Sequence, residues 1–167
     1  GAANRKRFFG FFSLCVTSTL GVALSGNLFT FLIFYEMLTL STYPLVVHAG
    51  SAKALAAGRV YLRYTLTAGV VLLLGVVLLY SLTNDHSFAS EQGLSPYLDD
   101  HRGLLTLIFA LLVGGLAVKA AMVPLHGWLP RAMVAPAPVS ALLHAVAVVK
   151  AGAFGILRVV YDLYRIE

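Results

Sequence analysis

Three ionisable side chains stand deep inside apolar stretches of this sequence: Glu36 in IFYEMLTLSTYPLVV, Lys119 in VKAAMVPLHGWLP and Lys150 in VVKAGAFGILR. His144 precedes the last of them by six residues. A charge moved from water into hydrocarbon costs several kcal/mol or neutralises, so each of these groups needs compensation. One carboxylate cannot neutralise two ammonium groups. Lys150 must therefore lose its proton, hydrate, or meet an acid elsewhere. Burial and a neighbouring carboxylate act on an ammonium in opposite senses, so the protonation of Lys119 depends on where Glu36 is and what it pairs with. A proton-coupled switch needs that dependence. The competing reading keeps Glu36 and Lys119 as a static buried ion pair that only fixes helix packing. His144 lies about 9 Å along the helix from Lys150 and about 120° around it, so water would have to join them. Imidazole suits a proton relay at physiological pH; a core histidine bonded to a backbone carbonyl is the alternative.

Five apolar segments hold these groups, at roughly 8 to 25, 27 to 47, 59 to 82, 103 to 124 and 138 to 161, each long enough to cross a core of about 30 Å as a helix. Glu36 and Lys150 then fall near the middle of their spans, about 13 Å and 18 Å in, and Lys119 nearer the cytoplasmic end of its own. Ser25, Gly26 and Asn27 suit a tight turn between the first two. Pro124 removes a backbone donor and breaks the helix beside Lys119, a feature tolerated at membrane depth only where it is buried in protein or lines a wet cavity. Such a break points to an ion path. Pro136 and Pro138 forbid a continuous helix from the fourth span into the fifth. Between them HGWLPRAM reads as a short amphipathic piece with Trp128 and Arg131 as interfacial anchors. Gly69, Gly75, Gly114 and Gly115 read as close-packing positions and nothing more.

Arg5, Lys6, Arg7, Lys53, Arg59 and Arg131 flank the spans on one side, whereas the 83–102 loop carries Asp85, Glu91, Asp99 and Asp100 against Arg102. By the bias of basic residues the first side is cytoplasmic, in a bacterial inner membrane, and the N-terminus lies there. Arg158 and Arg165 fall at the outer end and are expected to snorkel. Arg63, one turn inside the third span, is explained by snorkelling or by membership of the charge chain. His126, directly after the break, is a second candidate, as a guard at a cytoplasmic entrance.

Of the 167 residues 59% are hydrophobic and 11% charged, and the mean hydropathy of +0.86 excludes a water-soluble domain. The formal charge of +5 is spread along span ends and is not a nucleic-acid patch. Cys15, the single cysteine, reads as a buried packing residue. There is no phosphate loop, no metal or haem spacing and no nucleophile with a base, so no cofactor is expected and no catalytic site lies in this sequence.

The stretches NLF...FYEMLTLSTYPLV, VKAAMVPLHGWLPRAMVAPAPVSALLHA and VVKAGAFGILR together resemble the antiporter-like subunits of respiratory complex I and of multi-subunit cation/proton antiporters, nearest the D-type subunit. The resemblance implies an all-α polytopic membrane fold in which a glutamate pairs with a lysine in a broken helix and a further lysine or histidine passes protons along the midplane. Glu36, Lys119 and Lys150 match those three roles, and His144 matches a position that often carries a relay histidine. Arg63 stands where the family usually has a lysine, and a guanidinium hardly deprotonates. Members have about fourteen helices with two inverted five-helix repeats, so 1–167 is expected to be one repeat of a longer chain. The implied partners are other membrane subunits, the bilayer, protons and either sodium or potassium. The parent assembly is a cation/proton antiporter, an NADH:quinone oxidoreductase-type translocase or an inorganic-carbon uptake complex, and a non-transporting scaffold subunit is the structural alternative.

Overall fold

The computed structural model of the protein describes residues 2–83, 99–122, 126–133, 135–143 and 148–164. In chain order the helices are α1 (Ala2–Leu24), α2 (Leu28–Val46), α3 (Ala52–Thr83), α4 (Arg102–Lys119), α5 (Trp128–Ala132), α6 (Ala137–Ala141) and α7 (Val148–Leu157), followed by a π-helical turn, Arg158–Leu163. Four of them, α1 from Asn4 onward and α2 to α4, are long and apolar enough to cross a membrane. The chain is an all-α polytopic membrane protein. The segment expected as a fifth span is built from α6, α7 and the π turn, with 144–147 outside the described residues.

Local chemistry sets the turns. Asn27 takes an extended backbone ahead of α2 and its side-chain oxygen accepts the Thr30 N–H at 2.8 Å, the usual N-cap satisfaction of a free helical donor. Ser51 does the same for the Ala54 N–H at 3.1 Å at the head of α3. Packing follows a helical period: α2 buries Phe31, Leu32, Tyr35, Leu38, Thr39, Thr42 and Leu45 along one side. Where α3 crosses α4 the backbones come close, and a Cβ on Gly115 would lie 2.9 Å from the Ala68 carbonyl oxygen. Arg158 does not simply reach for the surface as expected. It pairs with Asp162 at 2.6 Å and donates to the Ser25 carbonyl at 3.2 Å, tying the last turns to the α1–α2 hairpin.

The fourth span stops earlier than the sequence suggests, at Lys119 and not near residue 124. The Met122 N–H bonds the Ala117 carbonyl (3.0 Å) and the Ala121 N–H bonds that of Val118 (3.1 Å). This is a Schellman ending, whose left-handed residue is normally glycine; here it is Ala121 at φ 55°. An alanine tolerates that conformation at a cost of about 1–2 kcal/mol, and a β-branched residue tolerates it worse. Ala121→Val should therefore destabilise the helix end by about 1–2 kcal/mol, with Ala121→Gly tolerated. Thermal unfolding of the detergent-solubilised protein checks this, and equal melting temperatures for wild type and Ala121→Val would contradict it.

Candidate functional site

The early ending leaves Lys119 in the last turn of α4, facing the middle of α2, with 1% of its surface exposed. A helix C-terminus favours a cation, and α2 supplies the remaining solvation. The Lys119 ammonium donates to the Tyr35 carbonyl oxygen at 2.8 Å and to the Thr39 hydroxyl, and it stands 3.6 Å from the centre of the Tyr35 ring. Tyr35 and Thr39 are one helical turn apart, so a single face of α2 makes the whole cradle. On α4 the Tyr35 hydroxyl also reaches the Gly115 carbonyl at 3.4 Å.

Glu36 is the next residue after Tyr35 and so is turned about 100° away, toward α3. Its carboxyl lies against Gly69, where a Cβ would come within 2.9 Å of Glu36 Cδ and 3.1 Å of Oε2. Glu36 Oε1 is buried and accepts no hydrogen bond. The side chains of Glu36 and Lys119 are near enough for their charges to act on each other, yet they form no direct ion pair among the described residues. The pairing expected between them is therefore open: oxygens of α2 hold the ammonium, while the carboxyl lies in the space left by Gly69 of α3.

Lys150 is exposed on α7. Two residues on, Gly152 faces the helix break closely enough that a Cβ would lie 2.9 Å from the Leu116 carbonyl oxygen and from Lys119 C. Lys150 thus shares the depth of Lys119, but a two-residue step carries its side chain about 160° away from that contact. The structure brings Glu36 and Lys119 together and leaves Lys150 pointing out of the described bundle. His144 and Pro124 lie outside the described residues. Arg63 is exposed and lines an apolar groove of about 530 Å³ between α3 and α4, with Tyr64, Thr67 and Val118. His126 is exposed beside the short α5. Pro136 caps α6 from an extended backbone, with Pro138 in its first turn.

Trp128 departs from expectation. It is not an interfacial anchor but fully buried, donating its indole N–H to the Val118 carbonyl at 2.6 Å and meeting Tyr61 edge-on at 5.4 Å. The Val118 carbonyl already accepts the Ala121 N–H, and the indole adds a second donor to the same oxygen at the buried helix end. Thr39 and Tyr35 are not singled out in the sequence, and Gly69 reads there only as a close-packing position, not as the seat of the Glu36 carboxyl. Thr39 and Glu36 are three apart in one span, so hydroxyl spacing around the carboxylate was the available signal. Among the described residues no group of three or more His, Cys, Asp and Glu side chains could hold a metal ion.

A multi-pass helical membrane subunit with a lysine buried at a helix break beside a carboxyl is the class that fold and site define. A family model described as "NADH:quinone oxidoreductase/Mrp antiporter, TM" matches residues 25–166, and the chain belongs to that family. It is 35% identical over 156 residues to the putative antiporter subunit mnhA2 of Staphylococcus aureus, covering 93% of this chain and 19% of that relative. The chain thus spans about a fifth of the length of such relatives, and these carry an A2 name, not a D-type one. Solved structures agree. The archaeal membrane-bound sulfane sulfur reductase superposes with a TM-score of 0.85 at 28% identity, over 94% of this chain and 32% of that one. The Mrp complex from Dietzia sp. DQ12-45-1b gives 0.78 at 32% identity, over 91% and 28%. Respiratory complex I from Thermus thermophilus gives 0.75 at 28% identity, over 90% and 33%.

Proposed function

We infer that this module carries protons at Lys119 under the control of Glu36, as part of a larger antiporter-like membrane assembly. The observation that supports this best is the open pair. A buried carboxyl oxygen without a partner costs about 1–3 kcal/mol, and the ammonium that would relieve it is held one residue away, on the Tyr35 carbonyl. Closing the pair and releasing it are two arrangements of the same side chains, which is what a switch requires. A lock that served only packing would be closed.

The proton route proposed beyond Lys119 runs by His144 to Lys150. Lys150 is exposed at the depth of Lys119, and an ammonium at that depth has to meet protein or water and not lipid. Partner membrane segments covering α7 fit this need, as does the greater length of the relatives. Arg63 and His126 are secondary members, the first as a fixed charge and the second near the cytoplasmic entrance. Sodium or potassium exchange, and a bacterial inner membrane with the N-terminus cytoplasmic, complete the reading.

Glu36→Gln tests it. The substitution keeps size and hydrogen-bonding capacity and removes the charge that acts on Lys119. In the intact parent complex reconstituted in vesicles, proton-coupled transport should fall by about tenfold or more, with subunit assembly unchanged. Wild-type transport in that variant would overturn the switch.

A further inference from the structure

The mechanism above leaves a buried polar seam unused. Thr39, whose hydroxyl holds the Lys119 ammonium, is fully buried, and so are Thr42, Tyr61 and Cys15; Ser41 is 2% exposed. The Tyr61 hydroxyl of α3 faces the hydroxyls of Thr42 and Thr39 but closes a hydrogen bond to neither. Thr42 in turn lies 3.4 Å from Cys15 Sγ of α1, and the Cys15 thiol donates to Ser41 at 3.2 Å. Apolar packing does not call for five polar side chains from three helices beside Lys119, still less for a phenol left without a partner at a cost of about 1–3 kcal/mol.

The seam also leads somewhere. Thr42 and Ser41 stand nearer than Thr39 to the C-terminal end of α2, the end that the flanking basic residues assign to the cytoplasm. One helical turn beyond Cys15 and Ser41, Phe11 and Leu45 line a pocket of about 290 Å³. Asn4, Arg7 and His48 bring polar groups to the same pocket. All three are exposed, so the pocket opens at the surface of the protein.

We propose that the α1–α2 pocket and the Cys15, Ser41, Thr42, Tyr61 and Thr39 side chains form a proton inlet that loads Lys119 from the cytoplasmic face. This rests on the reading of Lys119 as a proton carrier, and it moves the entry from the His126 side of the helix break to the space between α1, α2 and α3. At rest the threonine and serine protons are turned onto carbonyls of their own helix: Thr39 onto Tyr35, Thr42 onto Leu38 and Ser41 onto Met37. Their oxygens are thereby left to accept from the side. In transfer, each sulfur or oxygen takes a proton from the neighbour on the pocket side and releases its own to the neighbour on the Lys119 side. One proton leaves the pocket, one arrives on a neutral Lys119 amine, and no side chain in between changes its charge. Rotation of the hydroxyls back onto their carbonyls resets the row. Tyr61 is the link that must move, since its hydroxyl has to close first on Thr42 and then on Thr39.

The test is Tyr61→Phe in the intact parent complex in vesicles, which keeps the ring against Trp128 and deletes only the hydroxyl. Proton-coupled transport should fall at least about tenfold with assembly unchanged. Thr42→Val should do the same and Thr42→Ser should restore the rate, a rescue that a packing role would not give because serine lacks the methyl. Should Tyr61→Phe assemble poorly, the Thr42 pair decides alone. Wild-type transport in Tyr61→Phe and Thr42→Val, with Lys119→Met inactive, would overturn the inlet and leave the Lys119 reading standing. Wild-type transport in Lys119→Met would remove both.

Discussion

Lys119→Met is expected to abolish proton-coupled transport, by about a hundredfold or more, while leaving the assembled subunit as stable as wild type or more so. The two halves of this expectation have different causes. Transport stops because no titratable group remains at the helix break. Stability holds because methionine fills nearly the same volume and the cradle survives without a cation: the Thr39 hydroxyl still donates to the Tyr35 carbonyl at 3.3 Å. Because Lys119 and Glu36 form no direct ion pair, removing the ammonium breaks none and takes away the desolvation penalty of a buried cation. A scaffold role predicts the reverse, loss of assembly with nothing specific to proton flux. Lys119→Arg sharpens the contrast, since it keeps the charge on a group that does not deprotonate and should be equally inactive. Reconstituted transport and yield of the co-purified complex measure the two halves, and transport at wild-type rate in either variant would remove Lys119 from the path.

The sequence exposes the parts of this site that are thermodynamic anomalies. A carboxylate and two ammonium groups in apolar spans stand out because each is costly there, and Pro124 flags the break because it removes a donor. What it hides is relative direction. Glu36 and Lys119 have complementary charges, and from charge alone they should touch. That α2 turns Tyr35 and Thr39 toward Lys119 and Glu36 toward α3 depends on how two helices are rotated against a third, which a single sequence does not encode in any local pattern. Trp128 misleads for a related reason: indoles are at home at membrane interfaces and equally beside a carbonyl at a buried helix end, and only the Schellman ending at Ala121 decides between them. Thr39, Thr42 and Ser41 escape notice because hydroxyls bonded to the preceding turn are unremarkable in helices within lipid. Their meaning arises only when Tyr61 and Cys15, from other helices, complete the row.

Gly69 carries the second large effect, and it separates position from packing. The carboxyl of Glu36 occupies the space that a side chain on Gly69 would need, so α3 fixes where the charge sits. Gly69→Ala must push it out, toward Lys119 or toward the bilayer, and either displacement ends the open arrangement on which switching depends. We expect transport to fall about tenfold or more, beside a stability loss of about 1–3 kcal/mol from overpacking. The stability loss is common to any buried glycine at a close contact, as at Gly115 against Ala68, and by itself says nothing about transport. The double variant with Glu36→Gln does. If Gly69 acts through Glu36, adding Gly69→Ala to Glu36→Gln lowers transport no further, because the charge whose place it sets is already gone. If Gly69 serves only to bring α3 close to α2, the two losses multiply, as they do for independent sites. Transport measured in the four members of that cycle therefore distinguishes a glycine that spaces helices from one that seats a carboxylate.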